Sequence, residues 1–103
     1  MGRKQRRVPE HLHSKLYTIR KVLGLSQAEM AERLRYVPGL YKQEELPLYQ
    51  AHISEYESGV REPPLDVLLQ YARVAGLPVD ALIDDEWDLP DRFTYLPYSS
   101  EET

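Results

Sequence analysis

The strongest constraint on the fold is a helix-start signal, Ser-Gln-Ala-Glu, that begins at Ser26. In such a capping box the serine hydroxyl accepts the N–H of Glu29, and the glutamate carboxylate accepts the serine N–H. Met30, Ala31 and Leu34 then fall on one face of the helix that follows. The pattern predicts a helix that starts directly after Ser26 and turns this apolar face toward a core.

Glycines and prolines divide the remaining chain into four further helical segments. Gly24, Gly59 and Gly76 are predicted to end helices, Gly59 by adopting the left-handed conformation that closes a helix. Pro47 is predicted to open helix 3, and the pair Pro63 and Pro64 to start helix 4, since proline is tolerated in a first turn. The apolar positions predicted to face the core are Leu12, Leu16, Ile19 and Leu23 in helix 1, Ile53 and Tyr56 in helix 3, Leu65, Leu68, Leu69, Ala72 and Ala75 in helix 4, and Val79, Leu82 and Ile83 in helix 5.

Length and composition limit the kinds of protein that this chain can be. The chain has 103 residues, of which 42% are hydrophobic, so we expect one small domain with a single core. No apolar run approaches membrane-spanning length and no apolar stretch follows the basic N-terminus, so we expect a cytoplasmic protein without signal peptide or anchor. The sequence has no cysteine, and His11 and His13 point to different faces of a helix. We therefore expect no metal site and no cofactor.

Charge is distributed very unevenly along the chain. Residues 1–15 carry five basic groups against one acidic group, residues 16–61 are balanced, and residues 62–103 carry ten acidic groups against two basic ones. Exposed charges are screened over about 8 Å at physiological salt. A basic N-terminus can therefore attract phosphate groups locally, although the net charge of the chain is −4.

Both ends of the chain are candidate binding segments. Residues 1–8 are predicted to form a basic arm that binds phosphate or the minor groove through Arg3, Lys4, Arg6 and Arg7, or alternatively a solubilising or processed terminus. Residues 87–103 form an acidic, irregular tail with aromatic residues between prolines. We expect this tail to dock on its own domain, on a second subunit or on another protein partner; the alternative is a disordered end.

Two stretches resemble the phage-repressor-like family of helix-turn-helix proteins, also called the Cro or xenobiotic-response-element type. They are LGLSQAEMAERL, from Leu23 to Leu34, and HISEYESGVREPPLDVLLQYA, from His52 to Ala72. The resemblance implies an all-α, compact five-helix lambda-repressor-like domain over residues 9–86, in which helices 2 and 3 form the helix-turn-helix. This chain departs from the family at about residues 35–48, where the connection between helices 2 and 3 is longer than a tight turn by roughly a dozen residues.

The resemblance also implies a function. Such domains bind double-stranded DNA sequence-specifically, usually as homodimers that repress transcription from two-fold symmetric operators. Gln27 at the first turn of helix 2 is expected to bond a phosphate, and Gln50 to pair with adenine in the major groove. Ala51 is expected to contact a thymine methyl and Glu55 a cytosine amino group. The full set of expected DNA contacts is Gln27, Tyr49, Gln50, Ala51, His52, Glu55, Arg61, Arg3, Lys4, Arg6 and Arg7.

The family also implies a structural ion pair between helices 1 and 3. Arg20 lies beside the apolar face of helix 1, and Glu57 directly follows core Tyr56. We expect these two charges to form a largely buried pair. The alternative is two separate charges on the surface.

Two other functions compete with DNA binding. A protein-interaction module on the same scaffold is favoured by the long connection and by Glu55, because phosphate repels a carboxylate on the DNA-facing side. Gln50 would then be an ordinary surface glutamine. An enzyme ranks third, since the sequence contains no glycine-rich phosphate loop, no nucleophile elbow and no cluster of metal ligands. We predict that the chain is not an enzyme.

Overall fold

The computed structural model describes residues 9–35 and 48–90, and these residues form an all-α domain. In chain order the helices are α1 (Leu12–Leu23), α2 (Gln27–Arg35), α3 (Gln50–Ser58), α4 (Leu65–Ala75) and α5 (Val79–Ile83). No strand occurs in the described ranges. The all-α prediction is therefore confirmed. The basic arm, residues 36–47 of the long connection and the tail from residue 91 onward lie outside the described residues.

The helix boundaries follow local signals that the sequence contains. Ser26 Oγ accepts the amide of Glu29 at 3.0 Å, and Glu29 Oε1 accepts the amide of Ser26 at 2.8 Å, so α2 begins in a complete capping box. Gly24, Gly59 and Gly76 have φ angles of 74°, 82° and 72°, the left-handed values that close α1, α3 and α4. These boundary predictions are confirmed.

Helix α3 begins later than the sequence suggested. Its first residue is Gln50 rather than Pro47, and its N-cap is Tyr49, whose backbone is extended. The physical reason is a side-chain cap that the sequence pattern did not predict: the Tyr49 amide donates to His52 Nδ1 at 3.0 Å. Because this bond satisfies an amide at the helix end, it fixes the start of α3 after Tyr49.

One hydrophobic core joins all five helices. Its largest fully buried side chains are Leu16, Ile19, Met30, Leu34, Ile53, Tyr71 and Leu82. Leu65 was predicted to face this core but is 74% exposed, because the buried side of α4 is centred near Val67 and Tyr71, roughly a third of a turn away. Ile83, the last residue of α5, was also predicted to be buried and is 39% exposed.

Candidate nucleic-acid interface

Helix α3 has one buried face and one exposed, uncharged face. Ile53 and Tyr56 are buried in the core. The opposite side, which we call the α3 exposed face, consists of Gln50, Ala51, Ser54 and Ser58. None of these side chains carries a charge, and those of Ala51, Ser54 and Ser58 are short, so another surface can approach the helix closely. The amide of Gln50 offers both a hydrogen-bond donor and an acceptor at the first residue of the helix.

The α3 exposed face is held in place by a network between α1, α2 and α3. Arg20 Nε and Nη2 donate to the two carboxylate oxygens of Glu57 at 2.6 and 2.9 Å. The side chains are only 11% and 6% exposed. Gln27 Nε2 also donates to Glu57 at 3.1 Å, and Arg20 Nη1 donates to the carbonyl of Leu25 at 2.9 Å. We call these four residues the head network; it contains the Arg20 and Glu57 pair that the resemblance implied.

Two groups at the head network have raised pKa values: Arg20 within it and Tyr71 beside it. The hydrogen bond to Glu57, opposed by desolvation and assisted by the charge of the carboxylate, raises the pKa of Arg20. Burial, followed by the nearby Glu57 charge, raises the pKa of the Tyr71 hydroxyl strongly. Tyr71 is fully buried in α4. Arg20 is therefore always charged and Tyr71 always neutral at physiological pH.

Gln27 has a structural contact in addition to its predicted one. It lies at the first residue of α2, as expected for a phosphate contact at a helix N-terminus. Its side-chain nitrogen uses one hydrogen for Glu57 and retains a second, because an amide NH₂ group has two donors. The phosphate contact stays a prediction. The bond to Glu57 orients the side chain that would make it.

The long connection begins and ends at neighbouring points. A guanidinium nitrogen of Arg35, the last residue of α2, donates to the carbonyl of Leu48, which is buried just before α3. The same guanidinium lies over the ring of Tyr49, 5.5 Å from its centroid. Arg35 therefore clamps the two ends of the insertion together. This contact explains how α2 and α3 can stay paired although the chain between them is long.

Two of the predicted DNA contacts neutralise each other. Arg61 Nε donates to Glu55 Oε1 at 2.6 Å, and the two side chains are 57% and 39% exposed. This hydrogen bond raises the pKa of Arg61. The pair cancels the negative charge of Glu55 beside the α3 exposed face. It also occupies the guanidinium that was expected to contact phosphate, so both roles remain predictions.

The other residues predicted to contact DNA differ in their exposure to solvent. Tyr49 is 60% exposed, and Gln50 and Ala51 are exposed beside it. His52 is partly buried and uses Nδ1 for the cap of α3, so its ring is less available to DNA than expected. The remaining expected contacts, Arg3, Lys4, Arg6 and Arg7, lie outside the described residues.

A second network, which was missed from the sequence, ties the segment after α5 to α1. We call residues 84–90 the strap. Lys15 is only 7% exposed, and its Nζ donates to the carbonyls of Ala81, Asp84 and Trp87 at 2.8, 2.9 and 2.7 Å. All three ammonium donors are thus used. The sequence does contain an indication of this network. Lys15 falls on the apolar face of α1 between Leu12 and Ile19, and a charged residue at such a position needs a partner.

Asp85 completes the attachment of the strap. Its two carboxylate oxygens accept the amides of Glu10 and His11 at 2.9 and 3.0 Å. These backbone hydrogen bonds lower the pKa of Asp85. The carboxylate thereby caps the start of α1, whose own N-cap residue supplies no side-chain cap. A partner 74 residues away in the chain could not be read from local sequence.

In the part of the chain that the structure describes, no helix is long and apolar enough to cross a membrane. The same residues contain no group of three or more side chains that could hold a metal ion. The chain matches no protein-family model, and no curated protein sequence matches it.

Proposed function

We propose that this chain is a sequence-specific double-stranded DNA-binding regulator of transcription that acts in the cytoplasm, with α2 and α3 as its helix-turn-helix. The single observation that carries the proposal is the α3 exposed face. Its first residue, Gln50, presents an amide at the exposed end of a helix whose opposite side is anchored in the core. Such an amide can pair twice with adenine in the major groove.

Rigid placement of α3 supports the proposal. The head network fixes α3 to α1 and α2 through three hydrogen bonds to Glu57. Arg35 closes the connection behind them. A side chain contributes most to specificity when the scaffold holds it in one geometry, because binding then costs little further ordering. The first turn of α2, with Gln27, would take a backbone phosphate beside it.

Attraction to the DNA backbone would come chiefly from the basic arm. Arg61 is paired with Glu55. Residues 1–8 carry four basic groups and no acidic one. Each phosphate contact releases counterions from the DNA. A plot of the logarithm of the binding constant against the logarithm of the salt concentration should therefore fall with a slope of roughly 0.9 per contact. Replacement of Arg3, Lys4, Arg6 and Arg7 by glutamine should flatten this slope and weaken binding to all DNA sequences alike.

A homodimer would supply the second half of the site. One domain presents one α3, and two copies on half-sites about one helical turn apart would bind more tightly than one. Ile83 and Trp87, which are 39% and 42% exposed, lie at the α5 end of the molecule and provide apolar surface for such a contact, together with the tail. Sedimentation that shows only monomer at high concentration, free and with DNA, would contradict this arrangement.

Selection from a random duplex library tests the proposed function. The full chain should enrich one two-fold symmetric motif, and affinity for that motif should fall steeply with salt. The matched control is Leu65→Gln, which alters an exposed side chain at the start of α4 rather than the α3 exposed face. The control should enrich the same motif. Failure of the wild-type chain to enrich any motif would contradict the proposal.

A protein-interaction module is the second candidate. It is favoured by one observation: Gln27, Glu55 and Arg61 all have partners within the chain. A face whose polar groups are already bonded loses less by contacting an apolar protein surface. Any binding of such a module to DNA or heparin would depend only weakly on salt concentration. The salt titration therefore separates the two functions.

A further inference from the structure

The turn that ends α3 brings the guanidinium of Arg61 to the carboxylate of Glu55. The carbonyl of Glu55 accepts the amides of Val60 and Arg61 at 3.0 and 3.3 Å. It also accepts the hydroxyl of Ser58 at 3.2 Å. Gly59, with a φ of 82°, gives the chain the left-handed turn that these amide bonds require. The main chain therefore holds Arg61 beside Glu55, and the side-chain bond at 2.6 Å completes the contact.

Glu55 lies beside the part of α3 that the proposed function uses. It follows Ala51 by four residues, so the two side chains are neighbours on the same side of the helix. The side chain of Glu55 is 39% exposed, and its bond to Arg61 uses Oε1. A carboxylate has a second oxygen, which can accept a hydrogen bond from a cytosine amino group in the major groove. Glu55 can thus contact a base while it stays bonded to Arg61.

A carboxylate at this place would repel the DNA backbone if its charge were not balanced. Burial raises the pKa of the Tyr56 hydroxyl. The charge of Arg61 opposes this rise in pKa, whereas the charges of Asp66 and Glu55 add to it. These three charged side chains therefore share one neighbourhood, with one cation among the three. Glu62 lines a groove with Arg61 and Asp66 and is engaged in an interaction of its own. Removal of the Arg61 charge would make this surface more negative.

We propose that Arg61 is a positioning residue for Glu55: it balances the carboxylate beside the DNA backbone and holds it where it accepts a hydrogen bond from a cytosine. The inference rests on the proposed function. It gives Arg61 a role other than the expected phosphate contact. A phosphate contact attracts all DNA whether or not Glu55 is present, whereas a partner of Glu55 matters only while the carboxylate is there. The two roles therefore predict different results for a double variant.

The first experiment compares the wild type, Arg61→Gln, Glu55→Ala and the double variant on random duplex over a range of salt concentrations. Arg61→Gln should weaken binding about fivefold, the size expected for one unbalanced charge close to a phosphate in water. The double variant should bind within about twofold of the wild type and with the same salt slope, since the pair has no net charge. If Arg61 contacts phosphate instead, the double variant keeps the loss and its slope is lower by roughly 0.9. That result would overturn the proposal.

The second experiment is selection from a random duplex library, which locates the base contact. Glu55→Ala should enrich the wild-type motif with one C·G pair no longer specified. Replacement of that pair in the selected duplex should weaken the wild type at least about fivefold and leave Glu55→Ala unaffected. Arg61→Gln should reduce the preference at this pair and at no other, which a general loss of positive charge would not do. Full preference at this pair in Arg61→Gln, or an unchanged motif in Glu55→Ala, would refute the positioning role.

Two control variants make the test specific. Lys21→Gln removes an exposed cation from α1, so its effect should be the same in the wild type and in Glu55→Ala. Asp66→Asn removes the other nearby carboxylate, and in the Arg61→Gln background it should leave most of the loss in place. Equal restoration of binding by Asp66→Asn and by Glu55→Ala would show that Glu55 is not the specific partner and would end the proposal.

Failure of the inference can be told apart from failure of the proposed function. A wild-type chain that enriches no motif would overturn the proposed function and this inference with it. A wild-type chain that enriches a motif whose preferences do not depend on Glu55 or Arg61 would overturn the inference alone.

Discussion

The head network and the strap attach distant parts of the chain by different chemistry. In the head network, buried Arg20 is matched by a carboxylate, and both oxygens of Glu57 are used. At the strap, buried Lys15 instead donates to three backbone carbonyls, those of Ala81, Asp84 and Trp87. A buried charge that loses its partner is left without compensation, whereas a carbonyl near the surface can bond water instead. The head network should therefore be the more sensitive of the two.

Removal of the Glu57 charge should have the largest effect. Glu57→Gln leaves Arg20 charged and largely buried without its carboxylate, and we expect a loss of about 3 kcal/mol in the free energy of unfolding. Urea denaturation measures this loss. Glu32→Gln, a substitution at an exposed position of α2, is the matched control and should change stability by less than about 0.5 kcal/mol. An unchanged stability of Glu57→Gln would show that the pair does not hold α3.

Removal of the Lys15 charge should have a smaller effect. Lys15→Met keeps the apolar stem in the core and deletes three hydrogen bonds to carbonyls. Since those carbonyls can regain water at the edge of the strap, we expect a loss of about 2 kcal/mol. Lys21→Met changes an exposed lysine of the same helix and serves as the control. If Lys15→Met cost more than Glu57→Gln, the difference drawn between the two regions would be wrong.

The Asp85 cap should have the smallest effect and should appear as a pH dependence. Because its pKa is lowered in the folded protein, the carboxylate stabilises the fold above its ordinary value of 3.8, and this stability is lost as the pH falls through the lower folded value. Asp85→Asn should lower the melting temperature slightly at pH 7. The variant and the wild type should converge in acid. Parallel melting curves at all pH values would contradict the assignment.

Local signals explain how much of this fold was predictable. The capping box at Ser26 and the three left-handed glycines depend on residues a few positions apart, so the sequence determines them. Leu65 was misassigned because an apolar residue in a first turn fits a stripe by spacing while the packing of α4 turns it outward. The sequence cannot show which face of a helix its neighbours cover.

The site was predictable to a lesser extent. Arg20 and Glu57 were paired through the resemblance, whereas the bonds of Gln27 to Glu57 and of Arg61 to Glu55 had no local signature. His52 was expected among the DNA contacts because of its place before Ile53. Its hydrogen bond with the Tyr49 amide depends on the rotamer of the imidazole ring, which the sequence does not determine. The contacts of Lys15 and Asp85 with distant backbone groups were not predicted either, because they too depend on the three-dimensional structure.

Binding by Gln50→Ala to the selected duplex and to random duplex tests the central claim most directly. Gln50 is exposed at the first residue of α3, so its removal should leave the fold intact. Gln27→Ala is the comparison, because a phosphate contact carries no sequence information. Ser58→Ala, at the far end of the α3 exposed face, is the control. We predict that Gln50→Ala loses about 1 to 3 kcal/mol on the selected duplex and almost nothing on random DNA, while Gln27→Ala weakens both. Equal weakening of both duplexes by Gln50→Ala, or of neither, would contradict a base contact by Gln50.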